Sequence, residues 1–149
     1  MRKEVKDMKV AIATDHNGTN IKKEIIRFLN NRNIETIDLS KHNSAIDDYP
    51  LYAFDVAKKV VDKEADFGIL LCGTGIGMSI AANKVKGVRA SLCTDLVMAE
   101  YTRLHNDSNV LCMGARIIAY EMAEMIADKY LSTKFEGGRH QKRVDMIEE

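Results

Sequence analysis

Tryptophan is absent from the 149 residues, proline occurs once, and formal charge of neither sign is in excess: 22 Lys and Arg stand against 22 Asp and Glu. The scarcity of proline and lack of tryptophan argue against a proline-rich disordered chain and against a turn-dense β-sandwich. Charge balance argues against a general nucleic-acid binder, which needs surplus positive charge to displace phosphate counterions. No apolar run approaches the roughly 18 residues a membrane helix requires. Met1 to Asp7 is charged and lacks the apolar centre of a signal peptide. Cys72, Cys93 and Cys112 are odd in number and widely spaced, without a C-x-x-C pair. That excludes a disulfide framework or structural zinc site and suits a reducing cytoplasm.

What is present is an alternation of short β-rich runs with longer helical patterns. A length of 149 residues fits one domain. Val10 to Thr14 and Phe67 to Leu71 are near-continuous apolar runs, as expected of strands covered on both faces. Glu35–Leu39, Arg89–Leu92 and Asn109–Met113 read as further strands. Helical spacing follows at Ile21, Ile25, Phe28 and Leu29, at Val56 to Val61, from Met78 to about Val85, from Asp95 to Leu104 and from Ile117 to Leu131. Ser40 to Pro50 reads as a polar loop holding a solvated His42, and Ser132 to Glu149 as a polar tail with little to add to a core. This alternation implies a parallel sheet with helices on both faces. Ligands then bind beyond the carboxyl ends of the strands, at Asp15-His16, at Cys72 to Gly77 and just after Met113.

Gly73, Gly75 and Gly77, at a strand-to-helix junction, can turn backbone N–H groups toward an anion or a developing oxyanion, or can simply form a tight turn. The spacing matches neither the P-loop nor the dinucleotide fingerprint. Cys72, just before this loop, is a candidate base or nucleophile; Cys93 and Cys112 read as core. Asp15 and His16 share the Cys72 crevice by topology. His105-Asn106-Asp107 reads either as a catalytic pair or as a helix cap and turn. Arg139 and Arg143, at i and i+4 if helical, are spaced to grip a phosphate, or belong to a solvated basic tail; a tail this polar adds little to the protomer's core, which leaves an intersubunit role open.

In order, the chain holds Asp15-His16, Asp48-Tyr49-Pro50, Cys72-Gly73-Thr74-Gly75-Ile76-Gly77 with Ile80-Ala81-Ala82-Asn83-Lys84, His105-Asn106-Asp107 and Gly137-Gly138-Arg139-His140-x-x-Arg143-Val144. From about Met8 to the C-terminus this resembles the type B ribose-5-phosphate isomerases, within a wider group acting on sugar phosphates. The resemblance implies a single domain over 1–149, with 1–7 as an extension and about 132–149 as a tail serving the site or a dimer. It implies a Rossmann-like three-layer α/β/α sandwich on a five-stranded parallel sheet. The implied assembly is a homodimer, in some members paired into tetramers, with sites shared between subunits. The implied chemistry is interconversion of ribose 5-phosphate and ribulose 5-phosphate without metal or other cofactor, and without nucleic-acid or membrane partners.

Residue by residue, the resemblance makes Cys72 the base that moves a proton between C2 and C1. His105 becomes the ring-opening acid–base. Asp15 and Thr74 stand close to the hydroxyls, and Asn106 positions them. Gly73, Gly75, Gly77 and Ser79 contact substrate, the loop N–H groups serving the enediolate oxygen. His16, Arg116, Arg139 and Arg143 hold the phosphate, and Tyr49 lines the sugar pocket. Asn17 departs from the glycine often expected there, with an effect on the turn rather than the chemistry. The rival substrates are allose and galactose 6-phosphate, decided by pocket length, which Lys41 to Pro50 and the side chains around Met78 and Met98 can set. The rival of another class is a non-catalytic sugar-phosphate sensor.

Overall fold

The computed structural model describes residues 7–41 and 48–149; His42 and most of the loop after Lys41 lie outside the described residues. The chain runs β1 (Lys9–Thr14), α1 (Thr19–Asn31), β2 (Glu35–Asp38), α2 (Tyr49–Val61), β3 (Phe67–Cys72), α3 (Ile76–Ala82), β4 (Ala90–Leu92), α4 (Leu96–Asn106), β5 (Val110–Gly114), α5 (Tyr120–Ser132) and α6 (Arg139–Glu148). All strand pairs are parallel, in the order β2-β1-β3-β5-β4. The three inner strands bury nearly every residue, which is why they read as continuous apolar runs rather than alternating ones. The edge strands β2 and β4 are four and three residues long and only partly buried, and short edges limit unwanted pairing.

Alternate side chains of each inner strand serve opposite faces. Ile12, Ile69, Leu71 and Leu111 pack with Ile21, Ile25 and Leu29 of α1, Ala99 of α4, and Ile126 and Tyr130 of α5. Ala11, Ala13, Leu70 and Cys112 pack with Val56, Ala57 and Val60 of α2 and with Met78 and Ala82 of α3. The result is the expected three-layer α/β/α sandwich. Each fully buried aliphatic side chain contributes about 1.5–3 kcal/mol of burial.

Several boundaries differ from the sequence reading. Tyr49 and Pro50 begin α2 rather than ending a loop, because a proline in the first helical turn lacks only an N–H that has no intrahelical partner there. Lys22 joins the buried face of α1: its Nζ bonds Asp38 Oδ1 at 3.1 Å and the Ser40 carbonyl at 3.1 Å. Phe28 is instead half-buried, with the Arg32 guanidinium 4.3 Å over its ring. The polar tail folds as α6, which buries His140 and Val144. Met78 is fully buried in the core and does not face an open pocket. Among the described residues no helix is long and apolar enough to cross a membrane.

Candidate active site

The connection leaving β1 runs to β2 on one side and the connection leaving β3 runs to β4 on the other, so a crevice opens past the carboxyl ends of β1 and β3. Thr14 pairs with Leu71 and the Asp15 N–H donates to the Leu71 carbonyl at 3.3 Å, so Asp15 and Cys72 are neighbouring next positions on adjacent strands. Cys72 is 6% exposed, and its Sγ accepts the Gly75 N–H at 3.2 Å, which fixes the direction of the sulfur. One donor of the glycine loop is therefore committed to the cysteine. A second, the Ile76 N–H, is committed to Thr74 Oγ1 at 3.3 Å. Two donors of the loop are thus already bonded within it, which leaves fewer N–H groups for an external anion than the sequence suggested.

Two glycines of this loop sit in close quarters of different kinds. Gly75 has φ +81°, and a Cβ there would lie 2.7 Å from Leu92 Cδ1 and 2.8 Å from the Met113 backbone carbon. At Gly77 the obstacle is the Tyr49 ring, whose Cζ would lie 2.6 Å from an added Cβ. The Tyr49 ring thus lies over the start of α3 and forms one wall of the crevice. Ser79, on the first turn of α3, is half-buried.

The β5 end closes the other side. Cys72 pairs with Gly114, and the Arg116 N–H donates to the Gly73 carbonyl at 3.0 Å. The Arg116 side chain is exposed and its Nη2 donates to Asn17 Oδ1 at 2.9 Å. Asn17 in turn donates to both oxygens of the buried Asp15: its backbone N–H to Oδ1 at 2.9 Å, its Nδ2 to Oδ2 at 3.2 Å. His16 beside them is exposed. Asp15, His16, Tyr49, Cys72 to Gly77, Ser79 and Arg116 are therefore brought to one end of the sheet.

His105, Asn106, Arg139 and Arg143 are not. Helix α4 runs back toward the start of β5, so His105 and Asn106 precede Val110, whereas Cys72 lies level with Gly114 at that strand's far end. Five strand residues span about 13 Å. The Arg89 Nε bond to the Asn106 carbonyl, at 3.2 Å, anchors this turn at the amino end of the sheet. Helix α6 lies against it: the His105 and His140 rings stack with centroids 4.1 Å apart and planes 13° apart, and the Glu136 N–H donates to the Leu104 carbonyl at 3.0 Å. Arg139 and Arg143 share this end and are exposed. Within one chain these four residues stand at the opposite end of the sheet from Cys72, and the expected site is one shared between subunits.

Two residues of this second cluster had been given no role, Glu136 and His140. His105 Nε2 lies 3.7 Å from Glu136 Oε2, and His140 Nε2 lies 3.9 Å from Glu136 Oε1. The only signal in the sequence is their position around Gly137-Gly138-Arg139. The three ligand atoms lie within 4.8 Å, close enough for a cation. With the rings nearly parallel, however, their in-plane lone pairs run side by side instead of meeting at one point, so as they stand they do not form a coordination site.

His140 is 5% exposed, and its Nε2 has no hydrogen-bond partner among the described residues. Burial, then the neighbouring His105 and Arg139, holds its imidazole below the usual histidine range, with Arg143 adding to and Glu136 opposing the effect. Unfolding releases a histidine that protonates near pH 6.5, so the unfolded chain binds the extra proton and native stability declines as pH falls from there. The thermal midpoint of the unsubstituted protein is expected to drop between pH 7 and pH 5 by more than that of His140→Phe. Parallel curves would assign the acid sensitivity elsewhere. Cys93, pushed up to about 12 by burial, and Cys112, pushed up further by complete burial, are core thiols as expected.

A family profile described as Ribose/Galactose Isomerase matches residues 10–147. Ribose-5-phosphate isomerase B of Escherichia coli is 48% identical over 139 residues, 93% of each chain. The structure of Clostridium thermocellum ribose-5-phosphate isomerase B superposes with a TM-score of 0.92 at 47% identity, covering 95% of both chains. Ribose-5-phosphate isomerase B of Mycoplasma genitalium, solved with bound ribulose-5-phosphate, gives 0.90 at 43% identity, covering 95% of this chain and 94% of that one. With agreement in sequence and fold along nearly its whole length, the chain belongs to the ribose/galactose isomerase family.

Proposed function

We propose that the protein is an aldose–ketose isomerase that interconverts D-ribose 5-phosphate and D-ribulose 5-phosphate, a reaction of the pentose phosphate pathway, in the cytoplasm. The observation that carries this reading is the Cys72 sulfur held by the Gly75 N–H beside Asp15, with the exposed Arg116 guanidinium tethered on the same rim. A single base, a hydroxyl-binding carboxylate and a phosphate-binding cation then stand at one crevice.

In the reaction, His105 passes a proton to the ring oxygen and accepts one from the anomeric hydroxyl, so the sugar opens to its aldehyde. Cys72 as thiolate takes the proton from C2; the electron pair forms the C1–C2 double bond and the C1 carbonyl becomes the enediolate oxygen. N–H groups of the glycine loop stabilise that oxygen, worth about 3–4 kcal/mol per well-placed donor. The O2 hydroxyl proton passes to O1, and the Cys72 thiol, its proton exchanging with solvent, protonates C1 as the C1–C2 double bond is lost and C2 becomes the carbonyl of the ketose. Asp15 and Thr74 hold the hydroxyls, with Asn106 positioning them, and Tyr49 packs on the sugar. His16, Arg116, Arg139 and Arg143 neutralise the phosphate.

Since His105 and α6 lie at the far end of their own sheet, the working unit is a homodimer in which a second copy supplies them to the crevice. This arrangement gives the exposed basic face of α6 its role.

The test is NMR of the purified protein in heavy water with ribose 5-phosphate, allose 6-phosphate and galactose 6-phosphate in parallel. Ribulose 5-phosphate carrying solvent deuterium at C1 is expected. No ketose and no exchange from the five-carbon substrate, with turnover of a six-carbon one, would move the assignment to the longer sugar. Binding of all three without turnover would identify a sensor.

A further inference from the structure

Asn17 occupies a place the proposed chemistry does not use. Its amide can satisfy its two neighbours in one orientation only: a carboxylate solely accepts and a guanidinium solely donates, so Nδ2 must face Asp15 and Oδ1 must face Arg116. Both bonds are made, at 3.2 Å and 2.9 Å, and the Asn17 backbone N–H adds a third at 2.9 Å to the other Asp15 oxygen. Gly73 lies against the same pair, since a Cβ there would be 3.6 Å from Arg116 Cδ and 3.7 Å from Asn17 Nδ2.

We propose that Asn17 is a positioning residue that sets the Arg116 guanidinium for an incoming phosphate and keeps it from collapsing onto Asp15 as an ion pair. The inference rests on the isomerase reading for its substrate, but not for its geometry. An exposed arginine on a flexible stem loses considerable rotamer freedom when it binds an anion. A partner that holds it beforehand moves that loss out of the binding step. The separation matters equally. Asp15 is buried, and a direct Arg116–Asp15 pair would take both the hydroxyl acceptor and the phosphate cation away from substrate. A neutral amide between them leaves the outer edge of the guanidinium open.

Inorganic phosphate is the probe, its dissociation constant measured by calorimetry on the intact protein and on Asn17→Ala, Arg116→Ala and the double variant. KM and kcat for ribose 5-phosphate are measured alongside. Asn17→Ala retains the backbone N–H bond to Asp15 and should weaken phosphate about tenfold, the scale of one charge-assisted hydrogen bond, and raise KM by more than it lowers kcat. In the Arg116→Ala background the same substitution should change phosphate binding by less than about twofold, the mark of two residues acting as one unit. Asn17→Asp, equal in size but adding a charge against Asp15 and the phosphate, should weaken binding at least as much as alanine does. Equal effects of Asn17→Ala with and without Arg116, or unaltered phosphate binding in Asn17→Ala and Asn17→Asp, would overturn the proposal. Should the unsubstituted protein fail to isomerise ribose 5-phosphate, the isomerase reading falls, while the phosphate measurements still decide the role of Asn17.

Discussion

Turnover of ribose 5-phosphate by Cys72→Ala is expected to fall about a thousandfold, with solvent-deuterium exchange falling in step. Removing a positioned proton-transfer group costs on the order of 10²–10⁴ in rate, and no other thiol stands in: Cys93 and Cys112 lie inside the core, protonated by burial. KM should move far less than kcat, because the cations proposed to hold the phosphate are untouched, and a loss confined to the chemical step removes transition-state stabilisation alone. The fold should survive, since the substitution deletes one sulfur from a strand end whose backbone bonds remain, at a cost of about 1 kcal/mol. Cys72→Ser provides the second comparison. Its hydroxyl can still accept from the Gly75 N–H but is a poor base, so it should also be nearly inactive. If either variant kept more than about a tenth of the activity, Cys72 would not be the base.

Mixing two inactive variants should restore activity. Cys72→Ala disables the crevice, and Arg139→Ala/Arg143→Ala disables the basic face of α6; each homodimer then lacks half of every site. After denaturation and joint refolding, half of the dimers are mixed, and in each mixed dimer one of the two sites receives both intact halves. Recovery of about a quarter of the unsubstituted activity is therefore expected for a twofold-symmetric shared site. The physical basis is the separation of the two clusters: Cys72 lies level with Gly114, and His105 precedes the start of the same strand. A site completed within one chain would give no recovery at any mixing ratio. Refolding the double-arginine variant alone controls for activity regained without a partner.

The buried runs Val10 to Ala13 and Ile69 to Leu71 were readable as inner strands because burial on both faces is written in consecutive residues. The glycine loop after Cys72 was readable for a similar reason, since glycines at 73, 75 and 77 just past a strand mark a tight turn, and Gly75 has the positive φ such a turn uses. Asn17 was not, because its partners lie two residues before it and 99 residues after it. Taken alone, it is an ordinary turn residue. The placement of His105 was partly legible: a residue that ends a helix and precedes a parallel strand belongs at the strand's amino end. A roster of site residues hides that rule, because it does not say which copy of the chain each residue comes from. The start of α2 was misread because a lone proline in a polar stretch signals a loop or a first helical turn equally well.

By itself the sequence determined the order and kind of the elements, the two-faced core, and the pairing of one cysteine with an anion-suited loop. All of these depend on residues within a few positions of one another. Only the tertiary structure decided that β5 enters between β3 and β4, which sets Arg116 against Gly73 and Asn17, and that α6 folds back on α4 at the opposite end from Cys72. Strand order and helix docking arise from contacts between segments far apart in the chain. Their energies come from matching whole surfaces, and no local pattern records which surfaces will meet.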